Sequence, residues 1–256
     1  MIKSFRTAKS LYCISACLNN SKCSIAIFDA SICNIFKKVQ ITDSNTIFSS
    51  GSTLYVKNGY QIEDYLIHYW PFNGNYFDIV SNAHLFNGYN DELVTDRFGR
   101  TSSALYLNYG SLQAPTLTYF YGDFTLTTWV KMQTLEPFRR FFYLSQEDAT
   151  EIYFSFNEYT GPYYVSKDGD QVANTSLITG EWQHLAFTIR EATLSIYIDG
   201  VVVYEAPTTP IKPLTSTTAL FGFDGNTYTA AVFDDIKIYN ISLTESEIIQ
   251  SSLFNL

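Results

Sequence analysis

Short segments that alternate apolar and polar residues constrain the fold of this chain most strongly. Thr193–Asp199 alternates strictly, ends in the turn Asp199-Gly200, and the alternation resumes over Val201–Tyr204. Asp-Gly between two such runs predicts a β-hairpin. The same pattern predicts strands over Phe124–Val130, Ile152–Phe156, Trp182–Arg190 and Ala231–Tyr239. Strands at this spacing indicate an all-β sandwich or barrel. Thr244, with Glu247 three residues later, predicts a capping box that begins one short helix near the end of the chain.

Composition supports a folded chain of two domains. The 256 residues are 46% hydrophobic and include 20 Tyr and 20 Phe, which favours sheets. No apolar run approaches the roughly 18–20 residues of a membrane span. The net charge of −9 argues against nucleic acid as a partner. Residues 1–60 carry seven basic and two acidic side chains, whereas residues 61–256 carry nine and 23. This asymmetry predicts one domain over residues 1–60 and another over 61–256.

All four cysteines lie near the start of the chain, at Cys13, Cys17, Cys23 and Cys33. An even number in so short a segment predicts a disulfide framework and a secreted or extracellular protein. A zinc site is the alternative, but such sites usually contain Cys-x-x-Cys pairs, and this sequence has none. The apolar stretch Leu11–Leu18 has no small-residue cleavage site behind it. We therefore interpret that stretch as mature sequence and expect the leader to be missing from this chain.

The spacing of the cysteines suggests a helix followed by a hairpin. Ser10–Leu18 has helical spacing of its apolar residues, and Cys13 and Cys17 then lie on one face of the helix. Two cysteines side by side on a helix do not bond to each other easily, so each is expected to pair with Cys23 or Cys33. Strands are predicted over Cys23–Phe28 and Cys33–Val39, with a turn between them.

This helix-and-hairpin frame, over about residues 5–57, resembles the PAN/apple family. The resemblance implies a small disulfide-bonded α+β domain with the pairs Cys13–Cys33 and Cys17–Cys23. The outer pair of full apple domains is absent here, as in shorter PAN modules. The polar segment Thr42–Asp64 that follows is interpreted as the link to the second domain.

The second domain carries an ordered series of motifs over about residues 64–254. In chain order these are Trp70-Pro71-Phe72-Asn73-Gly74-Asn75, Asp96-Arg97-Phe98-Gly99, Ser103-Ala104-Leu105, Asp123–Val130, Trp182–Ala186 with Ile196–Gly200, and Phe233–Asn240 with Leu243-Thr244. The series resembles the laminin-G-like and pentraxin-like domains of the concanavalin A-like lectin/glucanase superfamily. It implies a mainly β protein whose second domain is an antiparallel jelly-roll sandwich.

Catalytic motifs are missing from this sequence. Glucanases of that superfamily place Glu-x-Asp-x-Glu on one strand, so that the carboxylates share a face as glycoside hydrolysis requires. The nearest carboxylates here are Glu147, Asp148 and Glu151, and their spacing differs. His184 follows Trp182 in a predicted strand, and a lone strand histidine is more often structural. We therefore predict that the protein is not an enzyme.

A calcium site is predicted in the loop after the first motif. Asn75, Asp78 and Asn82 supply oxygen ligands of the kind that a hard cation needs. Laminin-G-like and pentraxin-like relatives often bind calcium on loops at the rim of the sandwich. The resemblance therefore implies structural Ca²⁺ as the cofactor, held by Asn75 and Asp78.

Asp234 is the third candidate ligand of this metal site. It shares its strand parity with Ile236 and Ile238, which predicts that it faces the buried side. A buried carboxylate without a partner is costly. Asp234 therefore needs either the metal ion or a cation such as Arg97.

The leading hypothesis is a secreted, lectin-like binding or adhesion protein without catalytic activity. Its ligands would be glycans or extracellular proteins, a class implied by the family resemblance. The alternatives are a glycan-cleaving enzyme and a structural adhesion segment of a longer extracellular protein. No residue is assigned to ligand binding, because clusters such as Tyr119-Phe120-Tyr121 and Phe141-Phe142-Tyr143 are interpreted mainly as packing.

The disulfide pairing can be tested directly. Peptide mapping under non-reducing conditions is expected to join Cys13 to Cys33 and Cys17 to Cys23. Each bridge would stabilise so small a domain by about 2–4 kcal/mol. Four unreacted thiols in protein from its native compartment would remove both the PAN-like assignment and the argument for secretion.

Overall fold

The chain divides into two compact units, the first formed by Met1–Asp64 with Ile249–Phe254 and the second by Tyr65–Ile248 with Asn255–Leu256. A computed structural model describes four strands before residue 62 and, after them, residues 62–134, 139–145, 151–157, 161–166, 169–209, 218–223 and 226–253. All strand pairings in both units are antiparallel. Among these residues, no helix is both long enough and apolar enough to span a membrane.

The first unit contains a four-stranded sheet in the order β1-β3-β2-β4. Its strands are β1 (Lys3–Arg6), β2 (Ile25–Asp29), β3 (Ile32–Phe36) and β4 (Thr53–Val56). Strands β2 and β3 form the predicted hairpin. Strand β4 pairs with β2, so the interpretation of Thr42–Asp64 as a mere link was wrong for this part of the segment. The predicted helix and the four cysteine side chains lie outside the described part of the chain.

A 3-10 helix precedes the strands of the second unit, and the only α-helix that the described residues contain follows them. These are Ile62–Tyr65 and α1 (Glu245–Leu253), and each belongs partly to the first unit and partly to the second. Between them lie thirteen strands: β5 (Leu66–Trp70), β6 (Phe86–Val94), β7 (Ala104–Gln113), β8 (Phe124–Met132), β9 (Arg139–Ser145), β10 (Glu151–Asn157), β11 (Gly161–Ser166), β12 (Gly169–Val172), β13 (Gln183–Arg190), β14 (Thr193–Ile198), β15 (Val201–Pro207), β16 (Thr218–Phe221) and β17 (Thr229–Tyr239).

Backbone pairing joins these thirteen strands into one continuous sheet, which folds back on itself. The order is β12-β11-β10-β9-β16-β7-β17-β8-β13-β14-β15, with β5 on β17 and β6 on β7. Strand β7 serves both layers: Leu105–Gly110 pair with β17, and Leu112-Gln113 pair with β16. Rings from strands that are far apart in this order contact each other. Phe154 of β10 lies 5.0 Å from Phe187 of β13, and Phe141 of β9 lies 5.1 Å from Phe233 of β17. The second unit is therefore a two-layered β-sandwich with an aromatic core.

The predicted strands of this unit are confirmed. The alternating run at Thr193 forms β14 and β15, joined by Asp199 and Gly200. Both turn residues have positive φ, of 51° and 80°, as a type I′ hairpin requires. The capping interaction is also present, because Glu247 accepts hydrogen bonds from the backbone and the hydroxyl of Thr244, at 2.7 and 2.8 Å.

Most of the aromatic clusters pack in the core, as predicted. Tyr119, Phe120, Phe141 and Phe142 are at most 2% exposed. Phe142 stacks on Phe221 at 4.2 Å with nearly parallel rings. These rings therefore stabilise the sandwich and are not accessible to a ligand.

Gly222 lies where two backbone segments of this core pass close to each other. Gly222 has φ +80°, and a Cβ there would lie 2.5 Å from both the Gly110 carbonyl oxygen and a methyl carbon of Leu107. Gly180 has the same φ, but nothing lies within 4 Å of its Cβ position. The two positions therefore share the conformational requirement and differ in the space available.

We expect Gly222→Ala to destabilise the protein more than Gly180→Ala. The Gly180 variant should lose about 1–2 kcal/mol, the cost of a left-handed conformation at a residue with a side chain. The Gly222 variant should lose about 1–3 kcal/mol more, because the methyl group overpacks the site. Urea unfolding of both variants measures the difference, and equal losses would contradict the close packing at Gly222.

Candidate functional site

Asp78 lies in the loop after β5, and all of its hydrogen-bonding capacity is used by the protein. Its Oδ1 accepts from the amides of Tyr69, Val80 and Ser81 at 2.8–3.2 Å. Its Oδ2 accepts from His68 Nδ1 at 2.8 Å and from the Ser81 hydroxyl at 2.5 Å. Burial raises the pKa of Asp78, but these hydrogen bonds outweigh it and hold the pKa well below its usual range. A carboxylate has about four lone-pair directions, so five donors saturate it.

The three residues His68, Asp78 and Ser81 are not arranged as a catalytic triad. In a triad, the histidine uses one ring nitrogen for the serine and the other for the carboxylate. Here Ser81 and Asp78 both contact His68 Nδ1 and also bond to each other. The His68 ring stacks on Trp70 at 5.4 Å with an interplanar angle of 6°. This group therefore anchors the loop to the core.

The predicted calcium ligands do not form one site. The Asn75 side chain accepts from the Phe77 amide at 2.9 Å and donates to the Asn73 carbonyl at 3.2 Å, so it closes a local turn. Asp78 contacts His68, whereas Asp234 contacts a different side chain, that of Arg97. Nowhere in the described chain do three or more His, Cys, Asp or Glu side chains gather as metal ligands would. Asn75 and Asp78 are both engaged in hydrogen bonds of the protein, and calcium binding by them stays a prediction.

Asp234 and Asp235 share one buried guanidinium. Arg97 Nη1 donates to Asp234 Oδ2, and Arg97 Nη2 donates to Asp235 Oδ2 at 2.5 Å. Tyr69 donates its hydroxyl proton to Asp235 Oδ1 at 2.5 Å. The Arg97 side chain is 6% exposed and lies 4.8 Å from the centre of the Trp129 ring. Asp234 thus contacts Arg97, the cation predicted as the alternative to a metal ion.

Asp234 is buried as predicted, but a β-bulge puts it on the face opposite Ile236, so the parity from which its burial was predicted is wrong. Asp234 pairs with Trp129, but Lys237 pairs with Thr127, so β17 has one extra residue at this point. The core side chains of β17 therefore change parity, from Phe233 before the bulge to Ile236 after it. The bulge directs Asp234 and Asp235 to the same guanidinium, and Asp234 does not share a face with Ile236.

Asp234 is the less well satisfied of the two carboxylates. Its Oδ1 has no hydrogen-bond partner among the described residues, and the residue is fully buried. Burial, reinforced by the charge of Asp235, raises the pKa of Asp234 from its ordinary value near 3.8 to about 8, against the opposing effect of Arg97. Burial beside Asp235 therefore favours the protonated form of Asp234 in the folded state.

His184 is a buried structural histidine in this arrangement. It is 2% exposed, and its ring meets Trp129 edge-on at 5.4 Å. Burial lowers the pKa of His184 well below its usual range, with smaller contributions from Lys237 and Arg97. The imidazole is thus neutral at physiological pH.

An open groove of about 350 Å³ lies over the outer face of β13, β14 and β15. It is lined by Thr188, Arg190, Glu191, Thr193, Ser195, Tyr197, Glu205 and residues 242–245. Its volume is at the lower end of the range of small-ligand sites. The groove belongs wholly to the second unit.

Strand alternation places these polar side chains in the groove. Leu194 and Ile196 of β14 face the core, so Ser195 and Tyr197 face outward. The Ser195 hydroxyl donates to Glu205 Oε2 at 3.1 Å, and Arg190 Nη2 donates to the Ser242 carbonyl at 3.2 Å. The same alternation predicts the strands, but nothing in it predicts a site on their polar face.

The floor of the groove contains a hydroxyl without a protein partner. Thr188 is 2% exposed, lines the groove, and forms no side-chain hydrogen bond within the described residues. The same holds for the hydroxyl of Tyr197. These hydroxyls are available to hydrogen-bond a ligand or water in the groove.

The two layers and their antiparallel pairing define a β-sandwich of the jelly-roll kind. The laminin G sequence model, described as the concanavalin A-like lectin/glucanases superfamily, matches residues 107–249. This range is more than half of the chain, and the protein belongs to that family. No curated protein matches the sequence.

Solved structures share the fold at low sequence identity. Domain 4 of AbnA, a GH43 extracellular arabinanase from Geobacillus stearothermophilus solved with arabinotriose, has a TM-score of 0.62 and 18% identity, covering 73% of this chain and 97% of that one. The binding domain of Paraclostridial Mosquitocidal Protein 1 has a TM-score of 0.59 and 18% identity, covering 74% and 52%. A Trypanosoma rangeli sialidase mutant displaying trans-sialidase activity has a TM-score of 0.59 and 17% identity, covering 75% and 34%.

The raised pKa of Asp234 predicts that the stability of the fold depends on pH. A carboxyl group whose pKa is raised in the folded state stabilises the fold fully below its unfolded pKa, near 4, and this contribution is lost as the pH rises through about 8. Asp234→Asn mimics the protonated form, so it should remove this loss. We expect the stability of the variant relative to the wild type to increase between pH 5 and pH 9.

Denaturant unfolding at pH 5, 7 and 9 measures this effect. Glu92→Gln is the matched control, because Glu92 is exposed. The free energy of unfolding of this variant should vary with pH as that of the wild type does. If the free energy of unfolding of Asp234→Asn varies with pH as that of the wild type does, Asp234 is ionised throughout and bound to Arg97 as an ordinary ion pair.

Calcium binding stays a prediction that melting curves can decide. The hydrogen bonds around Asp78 lead us to expect the same melting temperature with added calcium and with a chelator. Asp78→Asn should then lower the melting temperature equally in both conditions. A melting temperature that falls on chelation in the wild type, but not in Asp78→Asn, would instead establish a metal at this loop.

Proposed function

We propose that this is an extracellular binding protein without catalytic activity, and that the groove of its second unit holds a glycan. The observation that carries the proposal is the groove itself, an open cavity of about 350 Å³ on a rigid strand surface. Its walls contain hydroxyls, carboxylates and one guanidinium close together. Sites on strands hold ligand contacts more precisely than sites on loops.

The groove offers the two kinds of contact that a sugar uses. Thr188 and Ser195 supply hydroxyls, and Glu205 and Arg190 supply an acceptor and a donor for sugar hydroxyl groups. Tyr197 is partly exposed in the groove, so part of its ring can pack on the apolar face of a pyranose or furanose. Together these groups suit an uncharged polar ligand of one or two sugar residues.

The structural comparisons support a glycan more than any other ligand. One similar domain was solved with arabinotriose, and another is the binding domain of a toxin. The cysteine-rich first unit supports an extracellular location, since disulfides persist in oxidising compartments. A PAN-like first unit would present a second surface for protein partners, and the protein would then join a glycan to another extracellular protein.

A glycan-cleaving enzyme is the second candidate, because three carboxylates line the groove. Glu191, Glu205 and Glu245 are the groups that acid and base steps on a glycosidic bond would use. Glu205, however, accepts a hydrogen bond from Ser195, so one of these three carboxylates is already engaged within the protein. A purely structural adhesion segment is the third candidate, and it would leave the groove without a ligand.

Substitution of Tyr197 tests the binding function. Tyr197→Ala should weaken glycan binding about tenfold, because it removes the ring from the groove. Tyr121→Ala is the matched control, since Tyr121 is 48% exposed and lies outside the groove. Calorimetric titration with arabinotriose, and with the strongest binder on a glycan array, measures the affinities. Equal losses in the two variants would remove the groove as the binding site.

The same oligosaccharides separate the binding protein from the enzyme. Each sugar bound on the array is incubated with the protein, and the products are separated by chromatography. We expect no turnover. Hydrolysis that disappears in Glu205→Gln would instead support the glycan-cleaving enzyme.

A further inference from the structure

We propose that the groove selects uncharged or amino-bearing glycans and rejects glycans that carry carboxylate or sulfate groups. This inference rests on the proposed function, because it names the ligand class of the same groove. It follows from the charges that surround the cavity. Three carboxylates line it, from Glu191, Glu205 and Glu245, against one guanidinium, from Arg190.

The three carboxylates come from three separate elements. Glu191 lies in the turn between β13 and β14, Glu205 is in β15, and Glu245 is the first residue of α1. An acidic sugar in the groove therefore meets carboxylates from three separate parts of the fold.

The single cation in the groove is already engaged. Arg190 Nη2 donates to the Ser242 carbonyl at 3.2 Å, and the next residue along the chain is Glu191. A carboxylate ligand needs a guanidinium that can present two parallel donors. With one of its ends bound to a carbonyl, Arg190 is poorly placed for that geometry.

The floor of the groove is neutral and suits sugar hydroxyls. Thr188 and Ser195 are 2% and 6% exposed and contribute hydroxyl groups. Ser195 donates to Glu205, which leaves its oxygen able to accept. Thr188 has no protein partner for its hydroxyl within the described residues. A neutral saccharide satisfies both groups without adding charge beside the three carboxylates.

The expected discrimination is large enough to measure. One like-charge pair about 6 Å apart in water weakens binding about threefold. A net excess of two carboxylates therefore weakens the binding of a monoanionic glycan about tenfold relative to its neutral counterpart. At 1 M salt, where the screening length is about 3 Å, the two affinities should converge. The selectivity therefore has a salt dependence that a steric preference would lack.

A glycan array with matched pairs tests the proposal on the full chain. Each neutral oligosaccharide is paired with sialylated, uronic acid and sulfated forms of the same core. The readout is the ratio of the neutral to the acidic affinity, measured for the wild type and for the triple variant Glu191→Gln, Glu205→Gln, Glu245→Gln. We expect a ratio of about ten in the wild type and a lower ratio in the variant.

Glu181→Gln is the matched control, since Glu181 precedes β13 at the end of the strand remote from the groove. Its ratio should equal that of the wild type. Melting curves confirm that each variant is folded.

The outcomes separate this inference from the proposed function. Acidic forms that bind as tightly as the neutral forms, or more tightly, would overturn the charge selection and leave glycan binding in place. A ratio that stays the same in the triple variant and at high salt would also overturn it. An array on which no glycan binds would overturn the proposed function, and this inference with it.

Discussion

The burial of strand β17 on both of its faces and along its whole length is the constraint on which the second unit depends. All eleven residues of Thr229–Tyr239 are buried, and the strand pairs with β5, β7 and β8. Its Phe233 packs against Phe141 of the opposite layer. A strand in this position cannot place a carboxylate in solvent, so its two aspartates require a buried cation. Arg97 supplies that cation, and the motif that contains it is thereby fixed against the sheet.

Local patterns predicted the elements of this fold well. The alternation at Thr193 and the Asp199-Gly200 turn specify a hairpin by geometry alone. Thr244 and Glu247 specify the beginning of the helix in the same way. These features depend on residues that are neighbours in the sequence, so no knowledge of the rest of the chain is needed. The family and the sandwich followed from the order of the motifs.

The site could not be predicted to the same extent, because it depends on contacts between distant segments. The bulge at Asp234 arises from the register of β17 against β8, and no residue within β17 predicts it. The sequence predicts either a metal ion or Arg97 as the partner of Asp234, and only the position of Arg97 in the structure decides between them. The groove is a third case. Its residues are ordinary polar positions of strands, and only their convergence with residues 242–245 makes a cavity.

The pairing of the first and last strands of the sandwich has a consequence for biosynthesis. Trp70 of β5 pairs with Ile236 of β17, so the two ends of the second unit meet in the middle of its sheet. A ribosome releases the first strand long before the last one exists. Until then, the aromatic core lacks its central strand, and its apolar faces are exposed to other chains. A chain of this topology therefore keeps apolar surface exposed for longer during synthesis than a chain whose sheets close locally.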